Sequence, residues 1–173
     1  MKVIGLDLSL NGTGIAYSDG HTKVVKLDEK KGDRRLIIIQ DEVIAALQPH
    51  VDLAVIETPL PRGFSIHTQG MVHGAVRVAL IKAGVPYVHI SPGTLKAFAT
   101  GSGKADKAAM ILAAYKRGGR EFVDDNECDA WWLRAAGLDQ YGAAEVKLPE
   151  AQRNKLAAVK DWPTLVGPTI VAG

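Results

Sequence analysis

Two apolar runs in this chain each carry an acid where a buried strand offers it no partner. Val3-Ile4-Gly5-Leu6-Asp7-Leu8 holds Asp7 among aliphatic residues, and Leu53-Ala54-Val55-Ile56-Glu57-Thr58-Pro59 closes on Glu57. A carboxylate so placed costs free energy unless a cation or hydrogen-bond donor meets it. A fold for this chain must bring both acids to something that neutralises them, or turn each out separately. A third acidic station, Asp125-Asn126-Glu127-Cys128-Asp129, opens a helical stretch. Three such stations point to convergence on divalent cations.

The pattern around these stations predicts the architecture. Lys2 to Leu8 reads as a buried strand, Gly14 to Ser18 as its antiparallel partner after the turn Asn11-Gly12-Thr13, and Lys23 to Leu27 as the third strand of a meander. Asp33 to Gln48 has helical spacing, with Leu36, Ile37, Ile39, Gln40, Val43, Ile44 and Leu47 offering a broad apolar face. A strand over Asp52 to Ile56, a helix over Ser65 to Ala83 and a strand over Pro86 to Ile90 follow. Ser91-Pro92 supplies an N-cap and a first-turn proline for the next helix. Further helices are expected over Asp106 to Arg117, Asp125 to Leu138 and Pro149 to Lys160, the last amphipathic. A meander followed by alternating helices and strands predicts an α/β fold, a mixed five-stranded sheet flanked by helices on both faces.

With 173 residues, 47% of them hydrophobic and 23% charged, the chain suits one well-buried domain and neither disorder nor a fibrous class. Its single cysteine, Cys128, has no disulfide partner and reads as a small buried helix residue in a reducing compartment. No run reaches the roughly 18 apolar residues of a membrane helix, and the N-terminal stretch has no signal-like core. A soluble cytoplasmic protein without membrane association is expected. The net charge of +2 is uninformative, but its distribution is not. Thr94 to Arg120 holds six basic residues against one acid, and Glu121 to Ala130 then holds five acids and no base. That order has a bland reading, a solvated basic face before an acid-rich helix start. It also has a sharp one, a phosphate-binding shelf beside a metal site.

Each station has a structural rival. Asp7 could cap the turn that follows it, and Glu57 could be a surface residue before a Thr-Pro turn. Asp124 and Glu127 have the spacing of a capping box. Asp125 and Asp129 lie one helical turn apart, and Asn126 and Asp129 are three residues apart, so either pair can aim oxygens at one point. Trp131, Trp132 and Leu133 read as core or interface residues. His67 and His73 do not share a direction and are not expected to bind metal.

Taken in order, Gly5-Leu6-Asp7 with Thr13-Gly14, Val55-Ile56-Glu57, Lys96 with the loop to Ala105-Asp106-Lys107, and Asp129-Ala130 resemble RuvC-type Holliday junction resolvases. The likeness covers residues 1 to 138. Leu148-Pro149, Arg153, Leu156, Val159 and Trp162-Pro163 look like the family's phage branch. The resemblance implies a ribonuclease H-like fold, a homodimer, and two divalent ions held by four side chains in each active site. Asp7, Glu57 and Asp129 match three ligands. The fourth departs from the family pattern, because Asn126 stands where Asp or His is usual; its carbonyl or the neighbouring Asp125 is the remaining donor. Lys107 matches a lysine at the scissile phosphate and Lys96 a second basic position. On this reading residues 1–140 form the nuclease domain and 141–173 a C-terminal extension.

The chemistry agrees with the resemblance. Carboxylate and amide oxygens suit Mg²⁺, with Mn²⁺ as a substitute, and no His or Cys cluster argues for zinc. Two ions can activate a water, align it and neutralise the leaving oxygen of a phosphodiester, and a lysine can steady the transition state. Arg62, Phe64 and Lys104 complete the expected DNA contacts, Phe64 by stacking on an opened base. The expected function is therefore metal-dependent resolution of branched DNA junctions by paired cleavage. The alternatives are a non-catalytic module binding branched DNA and a ribonuclease H acting on RNA·DNA hybrids. A nucleotide-binding reading fails: Gly101-Ser102-Gly103-Lys104 has Phe98 where a Walker loop needs its first glycine and Ala105 where it needs Ser or Thr.

Overall fold

A computed structural model describes residues 1–59 and 66–165. Strands β1 (Val3–Asp7), β2 (Gly12–Ala16), β3 (Thr22–Lys26), β4 (Leu53–Glu57) and β5 (Tyr87–Ile90) form one sheet in the order β3-β2-β1-β4-β5. β1 pairs antiparallel with β2 and parallel with β4, and β4 pairs parallel with β5. The expected mixed five-stranded sheet is thus present. β2 starts two residues earlier than its sequence suggests. The Thr13 hydroxyl donates to the Ser9 carbonyl (2.6 Å) and the Gly12 amide to Ser9 Oγ (3.0 Å), so side chains close the β1–β2 connection and pairing begins at Gly12.

Helices cover both faces. α1 (Arg34–Ala46) and α2 (Ile66–Lys82) lie on the face carrying Ile4, Leu6, Ile15, Ala54 and Ile56. α3 (Pro92–Thr100), α4 (Lys107–Gly118) and α5 (Asp125–Gln140) lie on the face carrying Val3, Ala16, Leu53, Val55 and Val88. α3 begins as expected, with Ser91 Oγ accepting from the Thr94 amide at 3.1 Å and proline in the first turn. α4 is capped by Asp106, whose carboxylate accepts from the Ala109 amide at 2.8 Å.

α5 is the central helix of its face. Trp132 is fully buried, its indole donating to the Met110 carbonyl (3.2 Å), and Trp131, Leu133 and Cys128 are buried with it, in line with their reading as core. α5 lies unusually close to the sheet because three glycines remove the side chains that would hold it off. A methyl group on Gly5 would fall 1.9 Å from the Ala130 carbonyl oxygen, and one on Gly14 2.0 Å from that of Asn126. From the helix side, a methyl on Gly137 would fall 2.7 Å from Val55. The expected long helix over Pro149 to Lys160 is instead α6 (Glu150–Arg153) followed by a 3₁₀ segment, Asn154–Ala158. The tighter winding turns Leu156, only 2% exposed, into the core beside α3. No helix among the described residues is long and apolar enough to cross a membrane.

Candidate active site

Asp7 is the last residue of β1 and Glu57 the last of β4, and the two strands are parallel neighbours, so both acids stand at the same carboxyl edge of the sheet. Open sheets place their sites there. Asp7 pairs across the ladder with Gly14, over which the first turn of α5 lies. The glycine contacts thus carry the α5 acids to the strand acids. The side-chain carboxylate of Asp124 caps α5, accepting from the Asn126 amide at 3.0 Å. The expected capping box is not what starts this helix, since the cap bond goes to position 126 and not to Glu127.

Charge couples four carboxyls. Burial, then Glu57, Asp129 and Asp125, hold the Asp7 carboxyl well above the ordinary value, with Lys107 pulling the other way. Burial and then Asp129 push Glu57 up to about 7, partly offset by Lys96. Asp129 is pushed up to about 6 by burial and then Asp125, with Lys96 and Lys107 opposing. Desolvation and like-charge repulsion both disfavour ionisation here, and two lysines do not cancel them. Lys107, the first residue of α4, forms an ion pair with Asp125.

The neighbouring residues 125 and 126 part company. Asp125 belongs to the carboxyl cluster. The Asn126 side-chain amide donates to Asp124 Oδ1 at 3.0 Å, and Asp124 is in turn paired with Lys26 Nζ at 2.9 Å. Asn126 lines a separate depression of about 460 Å³ with Ser9, Asn11, Gly12, Lys26, Leu27 and Asp28. The sequence left the two as equal candidates; the fold brings one of them to the other acids and ties the amide of the other to its own helix cap.

Lys96, on α3, lies close enough to Glu57 and Asp129 to oppose the upward shift of both, whereas Lys104 lies exposed in the loop between α3 and α4. Arg62 and Phe64 lie outside the described residues. His73 is buried on the opposite face, its ring 6.1 Å from that of His89. Cys128 is fully buried, and burial pushes its thiol up to about 12, which keeps it protonated and inert. What sequence reasoning missed was Gly5 and Gly14. Glycine inside a strand is a signal of close backbone approach, and both stand next to residues singled out for chemistry.

The donor set fits a hard divalent cation: every candidate is an oxygen, and the group carries more negative charge than its lysines balance. Among the described residues no three acidic, histidine or cysteine side chains converge closely enough to cage an ion, so binding would draw these side chains together.

No protein-family model matches the chain. Crossover junction endodeoxyribonuclease RuvC of Mycobacterium sp. strains KMS, JLS and MCS is in each case 28% identical over 183 aligned positions, spanning 92% of this chain and 98% of the relative. Thermus thermophilus RuvC superposes with a TM-score of 0.67 at 24% identity, covering 85% of this chain and 100% of that one. The T. thermophilus RuvC structure in complex with a Holliday junction substrate gives a TM-score of 0.67 at 22% identity, over 85% of this chain and 99% of that one. These structural likenesses identify the architecture as the ribonuclease H-like fold. Nothing in these relatives singles out the phage branch. In sequence along 92% of its length, and in fold, this chain is similar to RuvC.

Proposed function

We propose that this chain is a divalent-metal-dependent endonuclease that resolves four-way DNA junctions by paired phosphodiester cleavage. The observation that carries the reading is the coupled cluster of Asp7, Glu57, Asp125 and Asp129 at the carboxyl edge of the sheet, with Lys96 and Lys107 beside it. The RuvC relatives, one of them solved on a Holliday junction, support the choice of substrate.

In this reading Asp7, Glu57, Asp125 and Asp129 hold two Mg²⁺ ions, with Mn²⁺ as a substitute. When bound, the ions supply an activated water and neutralise the oxygen that leaves phosphorus. Asp7, whose carboxyl is raised by the β4 acid and by both α5 acids, would be the ligand common to them. Asp125 is the fourth ligand, because its carboxylate is in the cluster and the Asn126 amide is engaged with Asp124. Lys107 and Lys96 bind the phosphate and offset charge that develops on its oxygens. Lys104, Arg62 and Phe64 are the remaining expected DNA contacts. A homodimer would present two such sites to a substrate of matching two-fold symmetry, and DNA in the cytoplasm would be its setting.

The test is cutting of a labelled four-way junction, a matched duplex and an RNA·DNA hybrid, with Mg²⁺ and with chelator, by the native chain, Glu57→Gln, Asp125→Asn and Asn126→Ala. Metal-dependent paired nicks in the junction alone, lost in Glu57→Gln and Asp125→Asn and retained in Asn126→Ala, are expected. Cutting of the hybrid would move the function to ribonuclease H. Junction binding without cutting in either Mg²⁺ or Mn²⁺ would leave a binding module.

A further inference from the structure

The segment after α5 packs against α3 more intimately than an appended tail would. Leu156 is 2% exposed and shares the core with Leu95 and Phe98 of α3. Gln152 is buried, and its amide nitrogen would stand 3.8 Å from a methyl group on Gly101, the residue that caps the end of α3. The segment is held in turn by α5 and its end. Arg153 Nε donates to both oxygens of the buried Asp139 (2.9 and 3.0 Å), the Tyr141 hydroxyl donates to the Pro163 carbonyl (2.5 Å), and the Tyr141 ring meets Trp162 edge-on at 5.9 Å. α3 is short and follows directly on β5, whose last residue, Ile90, pairs with Glu57; the one cation α3 carries is Lys96, close enough to Glu57 and Asp129 to oppose the upward shift of both.

We infer that the segment from Gln152 to Trp162 is a positioning element of the active site: through Leu156 and Gln152 it seats α3, and so sets Lys96 against Glu57 and Asp129. The inference rests on the nuclease reading for its catalytic consequence, but the placement of Lys96 can be measured without it. Residues 141–165 are then part of the working unit, and the boundary expected near residue 140 does not separate a nuclease from an accessory tail.

The experiment compares the native chain with Leu156→Ala, Arg153→Ala and Arg153→Lys. The rate at which a water-soluble acetylating ester modifies Lys96 is followed by mass spectrometry, with exposed Lys116 as internal reference. Lys96 is expected to react severalfold faster in Leu156→Ala and Arg153→Ala, with Lys116 unchanged, and Arg153→Lys to stay near the native rate. Single-turnover junction cutting is measured in parallel, with and without Lys96→Ala. Leu156→Ala should slow cutting about tenfold in the native background and less than about twofold when Lys96 is already gone, since effects through one group do not add. An unchanged Lys96 rate in a folded variant, or equal slowing in both backgrounds, overturns the inference. If Leu156→Ala does not fold, Arg153→Ala decides the same question. A native chain that cuts no junction would sink the nuclease reading while the Lys96 rates still decide its placement.

Discussion

On the face covered by α1 and α2, the sheet presents Ile4, Leu6, Ile15 and Ile56 to a jacket of Ile39, Val43, Val72, Val76 and Leu80. On the face covered by α5 it presents Gly5 and Gly14, and a third glycine, Gly137, meets Val3 and Val55 from the helix. The first face gains stability from aliphatic bulk in the ordinary way. The second forgoes bulk under the helix, and α5 comes near enough for Asp129 and Asp125 to feel Asp7. Tryptophans on the far side of α5 make up apolar area there. One sheet thus has a face built for packing and a face built for proximity, and substitutions on the two should behave differently.

The largest contrast is expected at Asp7. Asp7→Asn should lower metal-dependent junction cutting on the order of a thousandfold, the loss that removing one preorganised charge-stabilising group reaches. The same change should raise the melting temperature of the metal-free chain, because an amide replaces a buried carboxyl crowded by Glu57 and Asp129. Ile39→Val on the other face should do the reverse, costing about 1 kcal/mol of stability and leaving cutting alone. Thermal melts beside a cleavage assay read both. Should Asp7→Asn melt lower and still cut, Asp7 is the cap of its turn and not part of a site.

Glycine substitutions come next. Gly14→Ala puts a methyl group 2.0 Å from a backbone carbonyl of α5, so helix or strand must move. A loss of about 3 kcal/mol or more is expected, together with most of the cutting activity, because the carboxyls separate. Gly74, on α2, has nothing within 4 Å of such a methyl, and Gly74→Ala should stabilise by roughly 0.5–1 kcal/mol. Denaturant unfolding of the two variants measures the difference directly. Equal effects would mean the α5 contact is no closer than an ordinary helix packing.

How much of this was legible in the sequence follows from the range of each signal. Local signals read true: the Ser91 cap with its proline, the five strands, the tryptophans as core, Asp7 within the first strand and Glu57 at the edge of the fourth. The start of β2 did not, because the Thr13 and Ser9 hydroxyls that close the turn leave no periodicity to read. Neither did the break in the last helix, where reaching the α3 core overrides local helical pattern. Asp125 and Asn126 could not be separated, since both lie within a turn of Asp129 and the bond that engages the Asn126 amide belongs to the cap residue. The close approach of α5 was written in Gly5 and Gly14, but a glycine names only an absence of side chain; what fills the space is a tertiary fact.

The smallest net effect is expected where the two faces oppose each other. Glu57 is pushed up to about 7 from the ordinary 4.5, so the folded chain holds a proton that the unfolded chain releases from about pH 4.5 upward. The associated stability is full below pH 4.5 and is lost as pH rises to about 7, on the order of 3 kcal/mol. His73 on the packing face is lowered to about 4 from 6.5, chiefly by burial and then by His89 and Arg77. There the unfolded chain binds the extra proton, so stability rises between pH 4 and 6.5. The metal-free chain sums these slopes with those of Asp7 and Asp129, which run in the same direction as that of Glu57, and single variants separate them. Relative to the native chain, Glu57→Gln should shift the slope from pH 4.5 to 7 upward, and His73→Leu should shift it downward. Saturating Mg²⁺ at pH 7.5 should stabilise the native chain and leave Glu57→Gln nearly unmoved, because an ion that takes the place of the proton relieves the same repulsion. Urea unfolding at half-unit pH intervals reads the slopes. Parallel profiles for the native chain and Glu57→Gln would mean that Glu57 ionises freely in the fold, and the charge crowding that distinguishes the α5 face would then have to lie in Asp7 and Asp129 alone.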